Sequence, residues 1–138
     1  MKRLSILGII VGVLVTGALD MIIAVVAAVF VVSSIQNKGM THDQAKDAVA
    51  AVALTPGFLG LYVVVGTLAT IAGCYVAARI GKQAPYLNSA IVGAVGAAFG
   101  VALASGYPLW FNIVSFALLI PAVLLGARLA RPRPAKNA

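Results

Sequence analysis

LSILGIIVGVLVTGALDMIIAVVAAVFVV, residues 4–32, is a continuous apolar run interrupted by a single charged residue, Asp20. It is longer than the ~20 helical residues needed to cross ~30 Å of hydrocarbon, so it predicts a transmembrane helix that tilts or projects beyond the bilayer. Three further apolar stretches of spanning length follow, at about 56–80, 86–104 and 108–127. The fold predicted is all-α: one integral-membrane domain over residues 1–138, a four-transmembrane-helix bundle with a cytoplasmic tail at 128–138. Connections of only a few residues join the last three spans, which makes sequential helices antiparallel neighbours. Pro121 lies inside the fourth span, where it removes one backbone hydrogen bond and predicts a kink. The alternating prolines of Arg131-Pro132-Arg133-Pro134 predict an extended tail.

The composition supports the same class. Hydrophobic residues make up 62% of the 138 and charged residues 9%, whereas a soluble domain averages about 45–50% and about 25%. The net charge of +7 does not signal nucleic-acid binding, because the basic residues sit in short segments beside the apolar runs. Lys2, Arg3, Arg79, Lys82, Arg128, Arg131, Arg133 and Lys136 fall on one side of the four-span plan, and only Lys38 and Lys46 on the other. That bias predicts a membrane protein with both termini in the cytoplasm. Tyr107 and Trp110 at the outer boundary and Tyr86 at the inner one fit interfacial aromatic belts. Lys2 and Arg3 ahead of an apolar stretch also resemble a signal peptide. Cleavage after 16–18 would strand an apolar stub, so the first helix is expected to be retained.

Between the first two spans, Thr41-His42-Asp43-Gln44 carries a capping-box pattern. Ala45, Ala48, Val49 and Val52 then recur on one helical face, opposite Asp43, Lys46 and Asp47. This predicts a short amphipathic helix at about 42–54, lying in the outer interface. Thr55 as N-cap and Pro56 at the first helical position start the second span.

The ending Gly73-Cys74-Tyr75-Val76-Ala77-Ala78-Arg79-Ile80-Gly81, followed by a Gly/Ala-rich third span, resembles small four-helix bacterial inner-membrane proteins of uncharacterised activity. The resemblance covers about a third of the chain; it implies location and no activity. The endings of the second and fourth spans also echo each other, as do Ile10-Val11-Gly12 and Ile91-Val92-Gly93. A duplicated hairpin and the shared habits of membrane helices both account for these echoes.

Asp20 is the residue that invites a functional reading. A carboxylate at mid-bilayer costs about 2.5–3.5 kcal/mol on insertion scales, and such residues face the bundle or a wet cavity. Its expected company is polar and uncharged: Thr16 one turn away, with Thr67 and Thr70 at similar depth on the second span. Two roles are open, a proton or cation site and a hydrogen-bonding packing residue. The four-helix plan with an acid in the first helix is similar to that of small multidrug transporters. Those carry a glutamate in an A-E-x-x-G motif, where this chain has Gly17-Ala18-Leu19-Asp20, and they lack so strong an orientation bias.

Asp20 also lies on a ridge of small residues that includes Gly8 and Gly12, and the third span offers Gly93, Gly96 and Gly100. Such faces allow close helix approach. With small residues nearly all round, the third span is expected either at the centre of the bundle or at an oligomer contact. Asn112 and Ser115 are expected to hydrogen-bond across helices, Arg79 and Arg128 to reach the headgroups, and Cys74 to pack as a small core residue. One cysteine cannot form an internal disulfide, which excludes thiol oxidoreductase chemistry within one chain. One histidine cannot build a histidine-rich metal or haem site, and His42, Asp43 and Asp47 do not converge on a helix. The expectation is a non-enzymatic protein without cofactor, embedded in lipid, and either a homo-oligomer or a subunit of a membrane complex. The alternative is a small proton- or cation-coupled transporter using Asp20.

Overall fold

The computed structural model describes residues 4–36, 39 and 41–131, and every helix or strand assigned among them is helical. The order is α1 (Ile6–Gln36), α2 (His42–Ala53), α3 (Pro56–Ile80), α4 (Pro85–Leu103) and α5 (Leu109–Leu129), with one 3₁₀ turn at Ala104–Gly106. Four helices are long and apolar enough to cross a membrane: α1, α3, α4 (with the 3₁₀ turn) and α5. Lys2, Arg3, Lys38, Arg133, Lys136 and the expected extended tail after Arg131 lie outside the described residues.

Boundaries fall close to those expected, with one difference. α1 does not end at Ser33 but continues to Gln36. The Ser33 hydroxyl donates back to the Phe30 carbonyl at 2.9 Å, a bond made within the helix. The chain leaves the helical direction by Gly39, whose φ of 65° is left-handed and suits glycine. The start of α2 is set by the Thr41 N–H donating to Gln44 Oε1 at 3.1 Å. Thr55 occupies the N-cap position of α3, but its hydroxyl donates backwards to the Val52 carbonyl at 2.7 Å. α5 continues through Pro121.

α3 is the hub. It packs against α1, α4 and α5, whereas α1 and α5 share no substantial contact; α4 closes the group against α5 and, more lightly, α1. Of the two places expected for the third span, the centre of the bundle or an oligomer contact, the central one falls to α3. The reason lies in the glycines: α3 is approached by backbone on two sides. On one side, a Cβ on Gly12 of α1 would stand 2.8 Å from the Gly73 carbonyl oxygen and 2.7 Å from the Ala77 Cβ. On the other, a Cβ on Gly126 of α5 would stand 2.7 Å from the Ile71 carbonyl oxygen and 2.7 Å from the Cys74 Cβ. α4 instead leaves Ala90, Ala94 and Ala98, one turn apart, facing outward.

Two small apolar cores result. One, at the end where α3 and α5 begin, joins Leu59, Val63 and Phe111, with Tyr62 and Leu118 against them. The other joins Cys74, Ala77 and Val92 with Ile9, Val13 and Val123. Beside the second lies a polar clamp built on Asn88 and Ser89, both fully buried. Asn88 accepts from the Ser5 N–H at 3.1 Å and donates to the Gly81 carbonyl at 3.1 Å, tying the start of α1 to the α3–α4 turn. The Ser89 hydroxyl donates to the Cys74 carbonyl at 2.8 Å, and the Cys74 thiol lies 3.6 Å from the Ser89 carbonyl.

Candidate functional site

Between the two cores the helices do not fill the interior. A partly open cavity of about 460 Å³ remains there, within the ~300–1,000 Å³ of small-molecule sites. α1 supplies Val13, Thr16, Gly17 and Asp20 to its wall, and α4 supplies Val92, Val95, Gly96, Phe99, Gly100 and Leu103. Tyr62 of α3, Tyr107 of the turn and Phe111, Asn112 and Phe116 of α5 complete it. The wall is mainly apolar, and its polar groups are few: Asp20, Thr16, Tyr62, Tyr107 and Asn112.

Each polar group reaches this wall for a local reason. Asp20 stands opposite Gly66, where a Cβ would come 3.9 Å from its Oδ1, so glycine on α3 leaves room for the carboxyl. The Tyr62, Tyr107 and Trp110 rings gather round Phe111, with centroids 6.3, 4.9 and 6.1 Å from it. Edge and tilted contacts of this kind hold aromatic rings in place. Asn112 is fixed by donating to the Ala104 carbonyl at 3.0 Å, which ties α5 to the turn that ends α4.

The expected companions of Asp20 are only partly assembled. Thr16 shares the cavity wall, but its hydroxyl donates to the Gly12 carbonyl at 3.0 Å. Thr67 and Thr70 are not on that wall; they donate to the Val63 and Gly66 carbonyls of their own helix at 2.7 and 2.9 Å. All three hydroxyl protons are thus committed to i−4 carbonyls, a common bond for threonine within a helix. Among the described residues the Asp20 carboxyl makes no hydrogen bond. Tyr107, expected as a boundary aromatic, Asn112, expected to hydrogen-bond across helices, and Tyr62, which the sequence did not mark, share its wall instead.

The glycines divide into two groups. Gly8, Gly12 and Gly93 stand at tight contacts, against α3 for the first two and against Val123 of α5 for the third. Gly100 faces the Phe116 ring, at 3.3 Å from a Cβ. Gly96 meets nothing within 4 Å, and neither does Gly17 across the cavity mouth. Among the described residues no three of His, Cys, Asp and Glu converge on a point. No family model, curated protein or solved structure matches this chain.

Proposed function

We propose that this chain is a multi-pass membrane protein of the bacterial inner membrane, both termini cytoplasmic, acting by assembly as an accessory or structural subunit. Catalysis has no part in this reading. Four apolar helices of spanning length support the membrane assignment, and the basic bias of the loops supports the orientation. α2, with no buried residue of its own, lies in the outer interface.

The observation that carries assembly is the mouth between α1 and α4. Gly17 and Gly96 stand there against open space, beside a carboxyl without a hydrogen bond among the described residues. In hydrocarbon, small residues favour close packing of another helix, and an acid favours a hydrogen bond from it. The outward row Ala90, Ala94 and Ala98 offers a second such surface.

The test is the mass of the native particle after extraction in mild detergent. A stoichiometric assembly larger than the single 14.0 kDa chain is expected. Gly96→Leu should release the chain from it with helicity unchanged. A wild-type protein that stays a lone chain at native density in lipid nanodiscs would sink the reading.

The cavity itself favours a second reading, proton- or cation-coupled transport with Asp20 as the coupling acid. It requires flux in proteoliposomes that Asp20→Asn abolishes. We expect wild-type flux at background.

A further inference from the structure

At the opposite end from α2, a second pocket of about 550 Å³ opens between the end of α3, the α3–α4 turn and the end of α5. It is lined by Ala78, Arg79, Lys82, Pro85, Ala130 and Arg131. We propose that this pocket holds the phosphate of an anionic phospholipid; the proposal rests on the membrane reading above.

Three cations share the one pocket, and none makes an ion pair among the described residues. The sequence supplies little to neutralise them. Its only acidic side chains are Asp20 midway along α1 and Asp43 and Asp47 on α2. α3 alone separates α2 from the pocket by 25 residues, about 37 Å at 1.5 Å per residue. Clustered cations repel one another unless an anion lies between them, and arginine is the side chain best matched to phosphate oxygens.

Two details favour a built site over loose basic residues. The Arg131 guanidinium stands 4.4 Å from the centre of the Tyr86 ring, a cation–π contact that orients it. α4 begins at the pocket edge with Pro85, after Ala84 at its N-cap, a residue that has no side-chain acceptor. The first-turn N–H groups of α4 therefore have no side-chain cap, and a helix N-terminus attracts anions.

The surroundings point to lipid rather than a free anion. Tyr86 also borders a neighbouring groove of about 460 Å³, lined further by Pro121, Leu124, Leu125 and Arg128. A headgroup in the basic pocket leaves its acyl chain beside this apolar strip of α5. Basic pockets between helices on the cytoplasmic side are a recurrent setting for anionic headgroups.

The experiment is native mass spectrometry of the delipidated full chain in neutral detergent, titrated with phosphatidylglycerol and, separately, phosphatidylcholine. One phosphatidylglycerol should be retained per chain in preference to phosphatidylcholine. Arg79→Gln, Lys82→Gln and Arg131→Gln should each weaken it about fivefold. Lys46→Gln, which removes the same charge from α2, should leave it unchanged. These side chains are exposed, so the variants should keep wild-type helicity by circular dichroism. Equal retention of the two lipids, or equal weakening by Lys46→Gln, overturns the proposal. So does displacement of phosphatidylglycerol by inorganic phosphate, which would assign the pocket to a free anion. Carbonate extraction of native membranes separates the two levels. A chain that stays in the pellet but shows no lipid preference refutes this site alone, whereas a chain released to the supernatant refutes the membrane reading as well.

Discussion

Replacing Gly12 by alanine adds one methyl group at a tight point of the α1–α3 contact. That Cβ would stand 2.7 Å from the Ala77 Cβ and 2.8 Å from the Gly73 carbonyl oxygen, against an optimum near 3.5–4.0 Å between carbons. The shortfall is about 1 Å, and neither neighbour is the free end of a flexible side chain. Relief requires α1 and α3 to separate, which also strains the Ser5–Asn88 bond. Overpacking of this kind costs about 1–3 kcal/mol. Alanine's higher helix propensity offsets about 0.8–1.0 kcal/mol of it, so the net loss is up to about 2 kcal/mol. Gly17→Ala is the matched control: nothing lies within 4 Å of its Cβ, so only the propensity gain remains. The two variants should differ by about 1–3 kcal/mol. Equilibrium unfolding of the isolated chain in detergent, followed by circular dichroism, reads this difference. Equal stability of Gly12→Ala and Gly17→Ala would refute the packing of α1 on α3.

Other expectations follow from the same geometry. Asn88→Leu removes two hydrogen bonds from a fully buried site and should cost about 1–3 kcal/mol, taking roughly 0.6–1.7 for each interhelical bond. It should also speed hydrogen exchange at the Ser5 amide; unchanged exchange there would show that the clamp does not hold α1. Asp20→Asn should leave the stability of the isolated chain nearly unchanged, because no hydrogen bond from the described residues depends on the carboxylate; a large loss in thermal unfolding would contradict that. Gly96→Leu should be milder in the isolated chain than Gly93→Leu, since Gly96 faces open space and Gly93 faces Val123; the reverse order would place α4 differently. A reporter fused after Ala138 or inserted at 82–84 should read cytoplasm, and one near Gly39 the outside; a periplasmic signal from the C-terminus would reverse the topology.

The elements were legible from sequence because apolar runs and breakers act locally. Pro56, Pro85 and Pro108 stand at or beside the starts of α3, α4 and α5, and Gln44 marked the beginning of α2. The hub was not legible. Small residues occur on all four long helices, and which of them meet backbone depends on pairings set in three dimensions. Asn88 and Ser89 gave no signal in the sequence, because Ser5 and Cys74, their partners, lie 83 and 15 residues away. Asp20 announced itself through its cost in an apolar run. Its neighbours did not: Thr67 and Thr70 have the expected depth but spend their protons on their own helix. Tyr107 reads as an interfacial anchor until the helices bring it to one wall with Tyr62.

The clamp sets an order on how the chain is made. Ser5 leaves the ribosome 83 residues before Asn88, an interval of about 4–17 s at 5–20 residues per second. Through that time α1 has its glycine ridge ready but no amide to anchor its first turn, and α3 is still being synthesised. A nascent chain inserting as proposed must therefore shelter α1 alone in lipid or against the insertion machinery. Anchoring of its first turn becomes a late event, gated by the arrival of α4 rather than by α3, the helix it chiefly lies against. Stalling translation between the emergence of α3 and that of α4 should trap a state in which α1 is inserted with its first turn unanchored.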